Sequence, residues 1–399
     1  MKDYKEDFLI FNEVKDLTYL DTSATALKPK CVLDKENEYY TKYGVNVHRG
    51  VYNLSYMATE EYENARREVA RFINANEKEV FFVRNATEGL NVISKMLESS
   101  LSIGDHVLTT PLDHHSSILP WMKLELEGKI KLDYVKLDEI GRITLENVIS
   151  AITDKTKIIA ITYASNTLGY ITYLKPIIEY AHSRDIIVIV DAAQYIAHKR
   201  VDVKDLDCDY LVFSGHKIMG PTGIGVVYGK YNHLTKLEPV NYGGDMNASV
   251  DYHNVILREC PAKFEAGTPA IAQAIGLGEA IRYIEAIGYD YIEAKEKELK
   301  DYLFSEIKKI DGVTVHNYNS DLAILLFNIT GVHAHDASSI YDMNNVCVRA
   351  GHHCAELVSR ELGINGSLRA SLYFYNTKED IDKFIKCTKE TVSFFKQFN

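Results

Sequence analysis

Between Val80 and Gly229 the chain repeats one pattern, in which a short run of apolar, β-favouring residues is followed by an amphipathic helical stretch. That alternation builds a mainly parallel sheet with helices laid over its faces, so it restricts the fold more than any other feature. The expected strands are Val80 to Val83, His106 to Thr109, Lys131 to Val135, Lys157 to Thr162, Ile186 to Val190, Tyr210 to Phe213 and Ile224 to Tyr228. Before this block, Lys28 to Tyr43 reads as a helix with Pro29 in its first turn, and Thr59 to Asn74 as another that opens on a Thr59 cap. After Gly267 the pattern changes. Helices over Ala270 to Ala286 and Tyr289 to Lys309 precede strands near Val313 to His316 and Leu322 to Asn328. A helix after His335, strands at Val346 to Arg349 and Ser367 to Ser371, and a helix opening at Thr377 complete the chain.

A chain of 399 residues exceeds what one core usually organises. The expected architecture is α/β: a large domain over 17–264 and a smaller α+β domain over 265–399, joined by the segment 1–16. With 56 acidic against 45 basic residues the net charge is -11, which repels nucleic-acid backbones. Nucleic acid is therefore not an expected partner. The apolar run Ile186 to Val190 ends at Asp191 and is too short to span a bilayer. Met1 to Asn12 mixes lysines with acids and lacks the apolar region of a secretory signal, so no membrane role and a cytoplasmic location are expected. The six cysteines show neither CxxC pairs nor dense disulfide spacing and read as mostly reduced packing residues.

Ligands of open parallel sheets bind beyond the carboxyl ends of the strands. Three such ends are unusually polar: Asp191 with Ala192, Ala193 and Gln194; Ser214-Gly215-His216-Lys217; and Arg84-Asn85-Ala86-Thr87-Glu88-Gly89. A carboxylate and an amine at adjacent strand ends suit pyridoxal phosphate, whose aldehyde condenses with a lysine and whose pyridine nitrogen pairs with an acid. A helix starting near Thr87 offers free backbone N–H groups, a hydroxyl and a favourable dipole for the phosphate, with Ser214 and His216 adding donors. Taken singly, Asp191 and Thr87 read equally well as helix caps, and Lys217 as a surface lysine.

Together these segments resemble a known family. Asp191-Ala192-Ala193-Gln194, Ser214-Gly215-His216-Lys217 and Gly220-Pro221-Thr222-Gly223 are similar to the cofactor motifs of fold-type I, class V pyridoxal-phosphate enzymes. Arg349-Ala350-Gly351-His352-His353-Cys354 resembles the catalytic cysteine segment of the SUF-branch cysteine desulfurases. The resemblance runs from Tyr19-Leu20-Asp21 to Tyr375-Asn376-Thr377. It implies that Lys217 forms the Schiff base, Asp191 pairs with the pyridine nitrogen, Gln194 bonds the phenolic oxygen and His114 stacks on the ring. Asn166 would contact cofactor and substrate carboxylate. Thr87, the Ala86 N–H, Ser214 and His216 would hold the phosphate, joined by Thr268 of a second subunit, which implies a homodimer. Arg369 resembles the arginine that clamps the substrate carboxylate, a task for a planar bidentate donor, and Arg349 and His48 are assigned to the substrate as well. Ala86 departs from relatives that carry two adjacent threonines there, which removes a hydroxyl and leaves the backbone N–H.

The implied reaction converts L-cysteine to L-alanine, with Lys217 moving protons and the Cys354 thiolate taking sulfur as a persulfide for iron-sulfur cluster assembly. A thiol with an ordinary pKa of about 8.5 is only a few per cent thiolate near neutrality, so His352, His353 and Arg349 are candidate helpers. Residues 355–368, 14 in all, separate Cys354 from Arg369. So short a tether implies that a small acceptor protein enters the pocket. In Gly331-Val332-His333-Ala334-His335-Asp336, His335 is offered as a transient ligand to an acceptor's zinc, beside its reading as a helix-start residue. No resident metal is expected. Alternatives are a selenocysteine lyase, another class V enzyme such as an aminotransferase or epimerase, and a non-enzymatic metal-binding surface built from His352, His353, Cys354, His333 and His335.

Overall fold

The computed structural model describes residues 4–397; residues 1–3 and 398–399, at the ends of the expected terminal segments, lie outside the described residues. Its main sheet has seven strands, in the spatial order Val80–Val83, Gly225–Gly229, Tyr210–Ser214, Ile187–Asp191, Thr156–Thr162, Asp105–Thr109 and Ile130–Tyr134. All neighbours from Tyr210–Ser214 to Ile130–Tyr134 are parallel, and only Gly225–Gly229 runs against its two partners. Strand ends therefore differ from the expected ones by a single residue at most, because long β-branched runs flanked by polar residues leave little freedom of register. The carboxyl ends of six strands share one edge. The Asp191 and Ser214 strands are direct neighbours there, as a lysine–carboxylate site requires.

A second, antiparallel sheet orders Val313–Val315, Ile324–Ile329, Ser367–Ser371 and Arg349–Gly351. The single strand expected over Val346 to Arg349 is instead two. Val346–Cys347 pairs in parallel with Thr18–Tyr19, and Arg349–Gly351 joins the four-stranded sheet. Splitting the run lets the chain leave one pairing partner for another just before the cysteine segment.

Two further expectations are corrected, the first being that for Pro29, which is the N-cap of Lys30–Lys42 and lies before its first turn. The helix expected from Thr59 begins at Asn53, and Thr59 lies inside it, donating to the Ser55 carbonyl at 2.7 Å and accepting the His48 amide at 2.8 Å. Thr59 thus caps nothing; it ties the turn before the helix to its second turn. The hairpin Asn247–Asp251 with Asn254–Leu257 was not anticipated. Its residues are almost all exposed, so no apolar alternation marks it.

Each sheet has its own core. The helix Ile271–Ile287 packs on Lys30–Lys42 and Asn53–Phe72, and its apolar side chains belong to the core of the large sheet. Along the next helix, Tyr289 and Ile292 enter that first core, whereas Leu299, Leu303 and Ile307 enter the second. We propose that the domain division falls inside Tyr289–Ile307, about two turns into the helix, and not at residue 265. The amino-terminal segment straps both units: Phe8 is buried in the first core and Lys5 pairs with Asp380 of the last helix at 2.7 Å. Among the described residues no helix is long and apolar enough to cross a membrane, and no cluster of three or more His, Cys, Asp or Glu could hold a metal.

Candidate functional site

One glycine explains how a helix start reaches the sheet edge. A Cβ on Gly225 would lie 2.6 Å from the Asn85 Cα, so only glycine lets the turn before Ala86–Glu98 settle on the strand. In that position the Ala86 N–H donates to the Ser214 hydroxyl at 2.8 Å, and the Asn85 side chain caps the helix by accepting from the Glu88 N–H. A second helix, His115–Leu126, starts close by. The Thr87 and Ser116 hydroxyls, one from each first turn, are 2.6 Å apart.

The cavity at this edge is lined by Ala86, Thr87, His114, Asn166, Asp191, Ser214, His216, Lys217, Arg349, Cys354 and Arg369, all named from sequence. Asn85, whose strand end the sequence marked, and His353, from the Cys354 motif, share the wall with Ser23, Ala24, Ser116 and Ala193. Nothing local distinguishes Ser23 or Ser116 from ordinary serines, which is why sequence reasoning passes over them. Gln194 is not in the lining. Its Nε2 donates toward the Ser23 hydroxyl at 3.4 Å and to His198 Nε2 at 3.1 Å, while its Oε1 is buried without a partner. His48 is also elsewhere, bonded to Glu63 at 2.9 Å with its ring edge-on to Tyr62. Thr268 is exposed in a neighbouring groove beside Arg84 and Glu88.

Burial dominates the electrostatics. It pushes the Lys217 amine below its ordinary pKa while the Asp191 carboxylate opposes it, and it pushes Asp191 upward while Lys217 opposes. Asp191 Oδ1 accepts the Ala193 N–H at 2.9 Å. His114 is driven down to about 3 by burial and by Lys217, and His216 to about 4 for the same reasons. Both are neutral. His114 Nδ1 accepts the Ser116 N–H at 3.1 Å, so the ring proton sits on Nε2. Beneath them Asp113 is fully buried and pushed up to about 7 by that burial, although Thr110 donates to it from both backbone and hydroxyl.

Asp21, itself outside the cavity lining, binds two of its arginines. Arg349 reaches it through Nε at 3.0 Å and an NH2 at 2.7 Å, and Arg369 through an NH2 at 3.1 Å. Arg369 is 2% exposed, donates to the Asn166 carbonyl at 2.8 Å, and keeps a buried Nε with no partner. Asn166 Oδ1 is likewise buried and unpartnered. Buried polar atoms are nearly always satisfied, so donors and acceptors left free around one cavity are matched to a ligand.

Cys354 is the exposed one of the six free cysteines. It sits between the strand Arg349–Gly351 and the helix Glu356–Glu361, with φ of 54° following φ of 55° at His353. Two consecutive non-glycine residues in the left-handed region cost energy and persist only where neighbours enforce them. The neighbours are Asn166, whose Nδ2 donates to the His353 carbonyl at 2.8 Å, and His115, whose N–H donates to the Cys354 carbonyl at 2.8 Å. His353 is buried, bonded to Ser367 at 3.0 Å, and pushed down to about 3 by burial and the two arginines; His352 is bonded to Ser359 at 3.1 Å.

Comparison with known proteins agrees with this arrangement. The chain is 44% identical over 381 residues to a protein of Halalkalibacterium halodurans described as a probable cysteine desulfurase, covering 95% of this chain and 94% of that one. It is 42% identical over 397 residues to one of Staphylococcus aureus with the same description, covering 98% and 96%. Among solved structures, the apo cysteine desulfurase of Thermococcus onnurineus superposes with a TM-score of 0.94 at 40% identity, covering 98% of this chain and 99% of that one. The Escherichia coli cysteine desulfurase CsdA does so with a TM-score of 0.92 at 32% identity, covering 98% of each. The fold is therefore the α/β arrangement of fold-type I pyridoxal-phosphate enzymes. Residues 18–384 match the aminotransferase class-V model, and the chain belongs to that family.

Proposed function

We propose that this protein is a cysteine desulfurase that converts L-cysteine to L-alanine and stores the sulfur as a persulfide on Cys354. One observation carries the reading: the exposed cysteine of the chain opens into the same cavity as the half-buried Lys217 and the buried Asp191. Class membership implies pyridoxal phosphate, and the residues present fit it. Lys217 would hold the aldehyde end, Asp191 the ring nitrogen, Gln194 the phenolic oxygen and His114 the ring face. Thr87, Ser214 and His216 would hold the phosphate, with the Ala86 N–H fixing the Ser214 hydroxyl, and Asn166 would serve cofactor and substrate together. The unpartnered Asn166 Oδ1 in the cavity wall supports the fit. When bound, the cofactor supplies an electron sink that labilises bonds at the substrate α-carbon.

The protein's own groups then divide the work. Arg369, buried and with a free Nε, binds the substrate carboxylate, and Arg349 stands beside it at the mouth. Lys217, its basicity lowered by burial, takes and returns the α-proton. The Cys354 thiolate attacks the substrate sulfur; an S–S bond forms, the Cβ–S bond breaks with its electron pair staying on carbon, and a proton replaces sulfur there. The balance is L-cysteine plus Cys354 thiol giving L-alanine plus Cys354 persulfide, with no outside oxidant.

The anchored carbonyls of His353 and Cys354 support a cysteine with little reach, so a small acceptor protein comes to it and carries the sulfur toward iron-sulfur assembly. The His335 Nε2 lies 3.8 Å from where a Cβ on Gly351 would stand, which places a zinc-competent imidazole beside the cysteine segment. Exposed Thr268 and half-buried His48, together with exposed Val51, Tyr52, Tyr56 and Met57, support a second copy completing the site in a homodimer.

The test is to measure alanine and sulfide from L-cysteine with a thiol reductant, with and without Cys354→Ser. Loss of both products in the variant is expected. Alanine made at the wild-type rate by Cys354→Ser would remove Cys354 from the reaction.

A further inference from the structure

Ser116 stands in the cavity wall with no part in the scheme above. It occupies the first turn of His115–Leu126, is 9% exposed, and its hydroxyl has two polar neighbours. Thr87 Oγ1 is 2.6 Å away and His114 Nδ1 2.9 Å away. The three atoms form a chain, Thr87 Oγ1 to Ser116 Oγ to His114 Nδ1, with two hydroxyl hydrogens to distribute.

Only two orders of those hydrogens satisfy it. In the first, Thr87 donates to Ser116 and Ser116 to His114, so both hydrogens face inward and Thr87 offers the cavity lone pairs alone. In the second, Ser116 donates to Thr87 and the Thr87 hydrogen turns into the cavity. The second order gives up the Ser116 hydroxyl bond to His114 Nδ1, leaving two lone pairs facing each other at 2.9 Å, while Nδ1 keeps the Ser116 backbone N–H at 3.1 Å as its donor. An anion beside Thr87 repels lone pairs and accepts hydrogens, so it selects the second order. A hydroxyl that accepts a hydrogen bond also donates a stronger one.

We propose that Ser116 is a positioning residue for the phosphate end of the site: it donates to Thr87 and thereby aims the Thr87 hydroxyl hydrogen at the bound phosphate. The inference rests on the pyridoxal-phosphate reading given above. It assigns to the second helix start a function in anion binding that acts through the first.

The experiment uses cofactor-free full-length protein titrated with pyridoxal phosphate and with pyridoxal, which lacks the phosphate, followed by absorbance. Wild type, Ser116→Ala, Thr87→Ala and the double variant are compared. Ser116→Ala is expected to bind pyridoxal phosphate about tenfold more weakly, because the Thr87 hydroxyl loses the donor that aims and strengthens its hydrogen bond to the charged group, with pyridoxal affinity unchanged. In the Thr87→Ala background the same change is expected to add nothing, since a residue acting through another has no effect once that partner is gone. An equal loss in both backgrounds, or an equal loss for pyridoxal, overturns the proposal. As a second reading, inorganic phosphate should raise the melting temperature of the cofactor-free wild type more than that of Ser116→Ala; equal shifts overturn it too. Failure of the wild type to take up pyridoxal phosphate overturns the cofactor reading itself, whereas uptake with equal affinity in Ser116→Ala overturns only the role of Ser116.

Discussion

The amide of His115 donates to the carbonyl of Cys354 at 2.8 Å, and the His115 ring Nε2 accepts the Glu356 N–H at 3.0 Å. One residue thus grips the cysteine segment on both sides of Ala355, holding the carbonyl before it and capping the helix after it. The first grip is made by backbone and survives substitution; the second does not. His115→Ala therefore uncaps Glu356–Glu361, with an expected loss of about 1 kcal/mol in stability. Hydrogen exchange should show faster exchange over 354–358, with the seven-stranded sheet unchanged. Unaltered exchange there would mean the ring bond contributes nothing.

Arg66 is a buried charge of the large unit. It is 3% exposed and pairs with Glu265 through two nitrogens at 2.7 and 2.8 Å, while Glu265 also accepts the Phe82 N–H at 2.7 Å. Removing Glu265 leaves the buried guanidinium with Glu63 as its remaining carboxylate, reached by Nε at 2.9 Å. Glu265→Ala is expected to cost about 3–5 kcal/mol, read as a lower urea midpoint, and Arg66→Met combined with Glu265→Gln to cost much less.

Acid sensitivity follows from the neutral histidines. His114, His216 and His353 have folded values of about 3, 4 and 3 against an ordinary 6.5. The unfolded chain binds protons that the folded chain refuses, so their contribution is complete above pH 6.5 and is lost as pH falls from 6.5 to about 4 for His216 and to about 3 for His114 and His353. Each adds a slope of at most about 1.4 kcal/mol per pH unit. Asp113 works in the opposite direction, since its folded value of about 7 exceeds the unfolded 3.8 and the folded chain holds the extra proton in that range. His353→Asn, with asparagine chosen because it tolerates positive φ, should flatten the acid limb of the cofactor-free protein, and Asp113→Asn should steepen it. Urea melts at pH 5 and pH 7 decide both.

His335→Ala tests the acceptor reading. Its imidazole stacks on His333 at 5.4 Å between centroids and borders Gly351, away from the cavity lining. Basal desulfuration with a small thiol should be retained within about twofold, as for an exposed residue outside the site. Stimulation by a zinc-bearing acceptor should fall several-fold; undiminished stimulation removes zinc exchange from the scheme.

Much of this fold is legible in the sequence. The large sheet followed from alternating β-rich runs, and Asp191, Thr87 and Lys217 were visible because parallel strands deliver their next residues to one edge. Repeated local pattern determines such features, since backbone hydrogen bonding and side-chain periodicity act over a few residues. The Val346 to Arg349 run was misjudged because its two halves choose different partners, from residues 18–19 and 367–371, and no local signal reports a distant choice. The exposed hairpin of Asn247–Leu257 gave no apolar rhythm to read. Gln194 behind the lining, Ser116 between Thr87 and His114, and Asp21 between two arginines were decided only by tertiary packing. Their chemistry is that of common residues, and what makes them part of a site is a distance set by segments far apart in the chain.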